Sequence, residues 1–226
     1  MISIYGNCQS NEIRNMLSYS KNFVEKYGNE NYVALNWIFI KSHNPIDEII
    51  ENFKKTDILI YQPLPDKYHP YSTNHLLEYL PKDCVKISFP YIFNDAIWGW
   101  AVEGNHKDAI EGDFILSNEY DDPLTRFQYN LNITREKEKN TTLKIADFIE
   151  KNYLDVELLY TQNHPTPVLI KELCRQILEH LQIEDDLEDI DLTNYNPTYD
   201  SFRWPMTKAA FQKFGFRFPI KSILSN

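Results

Sequence analysis

A mostly parallel α/β sheet flanked by helices, followed by a more helical carboxy-terminal half, is the fold class this sequence predicts. Three observations carry the prediction. Short β-branched and aromatic runs alternate with helical patterns through the first ninety residues, the order that a parallel sheet with helices on its faces requires. The chain has 226 residues, 42% hydrophobic and 14% aromatic, enough to bury a full core without staples. The three cysteines, Cys8, Cys84 and Cys174, have no CxxC spacing, and the six histidines show neither HxH nor HExxH. Neither a disulfide framework nor a metal site is therefore indicated.

The elements follow in order. Ile2, Ser3, Ile4 and Tyr5 alternate and break at Gly6-Asn7, a pair that favours a tight turn. Ile13, Met16 and Leu17 then recur at helical spacing, which opens a helix near residues 8–10. Residues 32–40 are β-branched and aromatic and read as one buried strand. Pro45 suits a first helical position, and Ile46, Ile49, Ile50 and Phe53 give that helix its apolar stripe. Residues 57–61 form another buried strand, a Pro-rich loop follows, Ser72 caps a helix through Leu80, and residues 84–89 make the next strand.

In the second half, Pro123 opens a helix to about Leu131, and residues 137–152 give another. The strongest helix follows His164-Pro165-Thr166-Pro167, with Ile170, Leu173, Cys174, Ile177, Leu178 and Leu181 on one face. Asp185 to Asp191 reads as a solvated acidic connector, and Pro205 opens a last helix through Phe214. With no repeat and no low-complexity linker, the expectation is one domain over residues 1–226, with a sheet core in 1–95 and a helical part in 118–226.

Acidic residues number 33 against 23 basic ones, a formal charge of −10. Such a surface repels phosphate backbones and excludes duplex nucleic acid as the expected partner. It leaves room for a small phosphorylated ligand in a local basic pocket. No apolar run is long enough to span a membrane, the amino terminus lacks the pattern of a secretory signal, and a cytoplasmic location is expected. Oligomeric state is not readable.

Chemistry points first to Cys8. It stands where a strand ends and a helix begins, so unpaired amides and the helix dipole favour a thiolate there. Asn7 and Gln9 can add side-chain donors beside it. His164, in the segment before the strongest helix, is the candidate base. No orienting group is evident, because Gln162 and Asn163 are equally near and no Asp stands two or three residues before His164. Ligands of parallel sheets bind at the carboxyl ends of the strands, where Gly6, Gln62, Phe89, Pro90 and Tyr91 fall. Arg14, Lys41 and His43 are candidates to meet a phosphate or sugar there. Aromatic faces at Tyr91, and at Trp98 and Trp100, suit an adenine or sugar ring.

Gly6-Asn7-Cys8-Gln9, Gln62-Pro63, Phe89-Pro90-Tyr91-Ile92-Phe93 and His164-Pro165-Thr166 occur in that order, and the carboxy-terminal part carries Tyr195 and then Arg203-Trp204-Pro205-Met206-Thr207. Together these resemble the WcbI family of polysaccharide-biosynthesis proteins from bacterial capsule loci, over nearly the whole chain. The resemblance implies binding of coenzyme A or acetyl-coenzyme A, and O-acetyl transfer to a hydroxyl of a capsular or cell-surface sugar. Cys8 and His164 would be the reactive pair, with Asn7 and Gln9 beside them and no metal. The strand-to-helix start is also similar to the nucleophile block of SGNH hydrolases. There Ser takes the place of Cys8 and an Asp lies shortly before the His; this chain has neither. An esterase using the same pair, and a non-catalytic carbohydrate- or nucleotide-binding protein, are the alternatives.

Overall fold

The computed structural model describes residues 1–98, 122–192, 195, 204, 206 and 208–219. Its centre is a four-stranded, wholly parallel sheet of β1 (Ile2–Gly6), β2 (Asn31–Leu35), β3 (Ile58–Tyr61) and β4 (Val85–Ser88), in the order β2-β1-β3-β4. Five helices accompany these strands: α1 (Cys8–Leu17), α2 (Lys21–Tyr27), α3 (Asn36–Ser42), α4 (Asp47–Phe53) and α5 (Thr73–Leu77). The chain winds from β1 out to β2, then returns past β1 to β3 and β4. The winding direction thus reverses between β1 and β3, which in open α/β sheets is where a crevice forms at the carboxyl edge.

Alternation along the strands explains the two cores. Ile2 and Ile4 of β1 join Ile58, Ile60 and Ile87 on one face, against Ile13, Met16 and Leu17 of α1. Tyr5 and Leu59 point to the other face and meet Ile49 and Phe53 of α4 and Leu76 of α5. Each such fully buried aliphatic side chain contributes about 2 kcal/mol relative to exposure. Ser3, also facing α4's side, shares a 2.7 Å hydrogen bond with Thr56, so its buried hydroxyl is not orphaned.

The second half holds α6 (Pro123–Glu138), α7 (Ala146–Asn152), a ribbon of β5 (Leu159–Thr161) and β6 (His164–Pro165), α8 (Pro167–His180) and α9 (Lys208–Phe214). The apolar face of α8 (Leu169, Leu173, Cys174, Ile177) joins the core of α1, and the Cys174 thiol donates to the Ile13 carbonyl at 3.6 Å. Side chains of both halves therefore share one hydrophobic cluster.

Several boundaries differ from the sequence expectations. The strand expected over 32–40 ends at Leu35, and Asn36 begins α3. Leu35 pairs with Gly6, the last residue of β1. Beyond it the edge strand has no neighbour, and its backbone groups find partners by turning helical. The helix from Pro123 runs on to Glu138, and the next begins at Ala146, not residue 137. The buried Glu138 carboxylate explains the join: it accepts from the amides of Ile145 and Ala146 and so caps α7. The helix expected from Pro45 starts at Asp47, and the one expected to Leu80 ends at Leu77. The acidic connector is partly engaged: Asp185 pairs with Arg175, and Asp186 accepts from Ser20 Oγ and the Asn22 amide at the start of α2. Trp100, Arg203, Pro205 and Thr207 lie outside the described residues.

Candidate functional site

At the carboxyl edge of the sheet a cleft of about 650 Å³ is lined by residues that follow all four strands. Asn7 comes after β1, Asn36 after β2, Gln62 to Pro65 after β3, and Pro90 and Tyr91 after β4. One wall comes from the second half: Lys137, Asn140 and Thr141 at the end of α6. That wall is brought in by Ser88 at the end of β4, which accepts from the amides of Thr142 and Leu143 at 2.9 Å each. Below it, the buried Asp95 carboxylate binds Arg126 and Asn130 of α6. Among the described residues, two lysines, Lys67 and Lys137, line the cleft, and no Asp or Glu does. In a chain of charge −10 this is a local reversal, suited to a ligand carrying negative charge. Each lysine leans on a ring: Lys67 lies 5.1 Å from the centre of Tyr68 and Lys137 5.0 Å from that of Tyr91. Partial desolvation of the Lys137 ammonium lowers its pKa.

The turn after β1 is tight. A Cβ on Gly6 would stand 2.4 Å from Ser10 Oγ and 3.0 Å from Gln62 Cβ, so only glycine lets α1 and the β3 loop approach this closely. Asn7 caps α1, its side-chain oxygen accepting from the Gln9 amide at 2.9 Å. Cys8 follows as the first helical residue and is half-buried. The thiolate expected there is not the resting state. Burial pushes the Cys8 thiol up to about 11, helped by Glu12 one turn along, and the amides of Cys8 and Gln9 oppose this only in part. Desolvation outweighs the helix start.

Gln9 is fully buried and its carboxamide ties four segments together. Nε2 donates to the carbonyls of Ile92 and Asn163, each at 2.9 Å. Oε1 accepts from Gln62 Nε2 and from the Ile92 amide, each at 3.3 Å. Both hydrogens and both lone pairs are in use, so Gln9 has no donor left for an oxyanion. What it does is join the residue after Cys8 to the residue before His164, across 154 positions of sequence.

His164 opens the two-residue strand β6 instead of lying in a loop. Its Nδ1 is 2.9 Å from Thr161 Oγ1, and half-burial lowers the imidazole's pKa from its ordinary value. Thr161, three positions before the histidine, is the side chain that meets this ring nitrogen. Burial raises the pKa of the Tyr91 phenol, the neighbouring Asn163 side chain lowers it in part, and the nearby Cys8 raises it further. Tyr91 thus sits between the cleft, Cys8 and the His164 ribbon.

Of the sequence-nominated residues, Asn7, Gln62, Pro90 and Tyr91 line the cleft, and Gly6 lies at the base of the turn. Phe89 is fully buried in the core. Lys41 is exposed on α3, 5.6 Å from the ring centre of Trp37, and Arg14 is in the last turn of α1; neither lines the cleft. His43 is exposed at the end of α3. Sequence reading does not single out Lys137, because it ends the helix from Pro123 at about Leu131 and places residue 137 at the start of the next, whereas one helix runs from Pro123 through Glu138. Lys67 lay inside a loop singled out only as a segment. Among the described residues no group of His, Cys, Asp or Glu is arranged to hold a metal ion, and no helix is long and apolar enough to cross a membrane.

Residues 1–130 and 113–186 match the family model described as the polysaccharide biosynthesis enzyme WcbI. A solved structure of WcbI, a novel polysaccharide biosynthesis enzyme, superposes with a TM-score of 0.74 at 17% sequence identity. The likeness covers 96% of this chain and 80% of that one. That structure is of the native protein without a disulfide bond between coenzyme A and one of its cysteines. At this identity it establishes the shared fold. No curated protein sequence matches the chain.

Proposed function

The chain belongs to the WcbI family of polysaccharide biosynthesis enzymes, and we propose that within it this protein is a coenzyme A-dependent O-acetyltransferase. The acceptor is a hydroxyl of a capsular or other cell-surface sugar, and the protein works in the cytoplasm as one α/β domain. The observation that carries this reading is the cleft at the β1/β3 reversal, lined among the described residues by Lys67 and Lys137 and by no carboxylate. Those residues fit a donor that carries several phosphates: the lysines would hold the phosphates, and Asn36, Gln62 and Asn140 would supply neutral polar contacts. Its size falls in the usual range for small-molecule sites, about 300–1,000 Å³. Coenzyme A, when bound, supplies the acyl group as a thioester.

His164, kept neutral by burial, is the general base. Cys8 rests as a thiol, so the two do not stand as a ready thiolate–imidazolium pair. A proton reaches His164 only as the new bond to the acyl carbon forms. It comes either from Cys8, which then carries the acyl group until the sugar hydroxyl displaces it, or from the sugar hydroxyl directly. In both routes the imidazolium would return its proton to the leaving sulfur as the donor's thioester carbon–sulfur bond breaks. Asn7, which caps the helix that Cys8 opens, and the Tyr91 phenol, close enough for Cys8 to raise its pKa, would be the polar groups beside that transfer.

Binding is tested first, by thermal shift and calorimetry with coenzyme A and acetyl-coenzyme A; a ligand at a hundred times its dissociation constant adds about 2.7 kcal/mol. Release of free thiol from acetyl-coenzyme A is then followed with and without oligosaccharide acceptors. Acceptor-dependent release is the expected result. Release without acceptor makes the protein a hydrolase, and absence of both binding and release removes the reading. Cys8→Ala separates the two routes: near-normal turnover means direct transfer to the hydroxyl, and large loss with binding kept means an acyl-cysteine.

A further inference from the structure

Helix α6 buries four polar residues, Arg126, Asn130, Thr134 and Glu138, beside Phe127 and Leu131. Two apolar side chains are turned the other way: Tyr129 is 48% exposed and Ile133 half-buried. A single exposed apolar residue needs no explanation, but a buried polar row opposite an outward apolar pair does. Both residues belong to a second, open groove of about 530 Å³. Among the described residues it is lined by Tyr129, Asn132, Ile133, Glu136, Lys137 and Asn140. Steps of three and one in turn keep these positions on one stripe along the helix. Lys137 and Asn140 also line the cleft at the sheet edge, so groove and cleft are continuous. Lys137 stands at the junction, 5.0 Å from the centre of the Tyr91 ring.

The stripe has a different chemistry from the cleft. Its positive charge stops at Lys137, since Glu136 comes next and pairs with Lys139 at 2.6 Å. Asn132 accepts a long bond of 3.5 Å from Gln128, and its amide hydrogens, like those of the Asn140 side chain, reach no acceptor among the described residues. An aromatic and an aliphatic side chain flanked by amide donors and a carboxylate acceptor suit a neutral sugar. The C–H face of the sugar ring packs on the apolar pair, and its hydroxyls bond the polar flank. A phosphate would find no unpaired cation here beyond Lys137. From Tyr129 to Lys137 the stripe spans about 12 Å at a rise of 1.5 Å per residue, room for two or three pyranose rings.

We propose that this stripe of α6 is the acceptor subsite, which holds two or three units of a neutral oligosaccharide and leads the chain past Lys137 into the cleft.

The word acceptor rests on the proposed acetyl transfer; saccharide binding can be read without turnover. The full chain, labelled with 15N and deuterated, is titrated with millimolar maltohexaose, cellohexaose and chitohexaose in the absence of a donor. At least one of the three is expected to shift the backbone amides of residues 129–140. Tyr129→Ala should weaken that binding by roughly fivefold or more and Asn132→Ala by about threefold. Both variants should bind coenzyme A in calorimetry as the wild type does. Alanine suits an exposed helical position, so both variants are expected to fold. Absence of shifts at residues 129–140 with all three sugars overturns the proposal, and so does binding that survives Tyr129→Ala unchanged. Shifts that follow protein concentration alone, which would make the stripe a contact with a second copy, overturn it as well. In acetyl transfer to the sugar bound best, acceptor KM should fall as the chain grows from one to three units, and should lose that dependence in Tyr129→Ala. Transfer with a wild-type KM independent of length defeats the stripe and leaves the proposed function standing. Saccharide binding at the stripe in a protein that transfers no acetyl group upholds the stripe as a sugar site and defeats the proposed function instead.

Discussion

The corner that carries Cys8 and the ribbon that carries His164 are built by different means. The corner is made by backbone: a central strand paired on both sides, a glycine with no room to spare, and a capped helix. The ribbon has a two-residue strand. The amides of Asn94 and Trp204 tie its other strand and turn through the carbonyls of Gln162 and Tyr160, while around His164 itself it is held by the Gln9 amide and the Thr161 hydroxyl. The difference teaches where the site is sturdy and where it is tunable. Backbone geometry fixes Cys8 whatever its neighbours, whereas His164 depends on single polar atoms. Burial then acts on both in the same sense, favouring the neutral form of each group.

Removing the tie between the regions should have the largest effect. Gln9→Met leaves the carbonyls of Ile92 and Asn163 without their donor, which costs roughly 3 kcal/mol for two buried acceptors, or about 10 °C in melting temperature at this size. A variant that melts within 2 °C of wild type would show that corner and ribbon are held independently. Gly6→Ala tests the corner alone. Its methyl must displace Ser10 and Gln62, an overpacking cost of roughly 2 kcal/mol, read from denaturant unfolding; a neutral result would mean the turn is looser than described.

The shared neutrality is tested by pH. With the Cys8 thiol pushed up to about 11, alkylation by iodoacetamide should rise about tenfold per unit between pH 7 and 9 without levelling. Cys8 should still react ahead of Cys84 and Cys174, because those are buried. A plateau below pH 9 would restore a thiolate at the helix start. For His164 the sign is the opposite: burial lowers its proton affinity, so the base form persists as pH falls. The acid limb of the turnover profile should then lie below the ordinary imidazole value of about 6.5; a limb above it contradicts the assignment. Smallest is the cleft wall. Lys137→Gln should weaken coenzyme A binding by about 1 kcal/mol, roughly fivefold, with little change in melting temperature. Unchanged affinity in calorimetry would move the phosphates elsewhere.

What was legible in the sequence follows the same division. Alternation at Ile2 to Tyr5, the break at Gly6-Asn7 and the run at residues 57–61 marked the strands, because buried parallel strands are written in the side chains themselves. Residues 36–40 have strand composition too, yet they turn helical where β1 runs out of pairing partners, a fact held in another segment of the chain. Thr134 and Glu138 are buried polar residues, invisible to an apolar periodicity, and with them went Lys137. Gln9 and Thr161 were out of reach in a different way. A glutamine or threonine in sequence does not announce which carbonyl or imidazole it will meet, and Gln9 was nominated for a role its fully used amide has no hydrogen to perform.

The Gln9 amide also bears on the order in which the molecule is made. Its partner carbonyl lies 154 residues downstream, so a growing chain released as far as β4 can already pair its parallel strands and set Cys8 in its turn. The imidazole arrives only after the ribbon of residues 159–165 has left the ribosome. Contacts this distant in sequence form late because loop closure must precede them, and domains fold progressively during synthesis. During that interval a nearly finished sheet edge carries a cysteine without its base. Base-assisted chemistry at Cys8 is thereby withheld until the second half of the chain has been made.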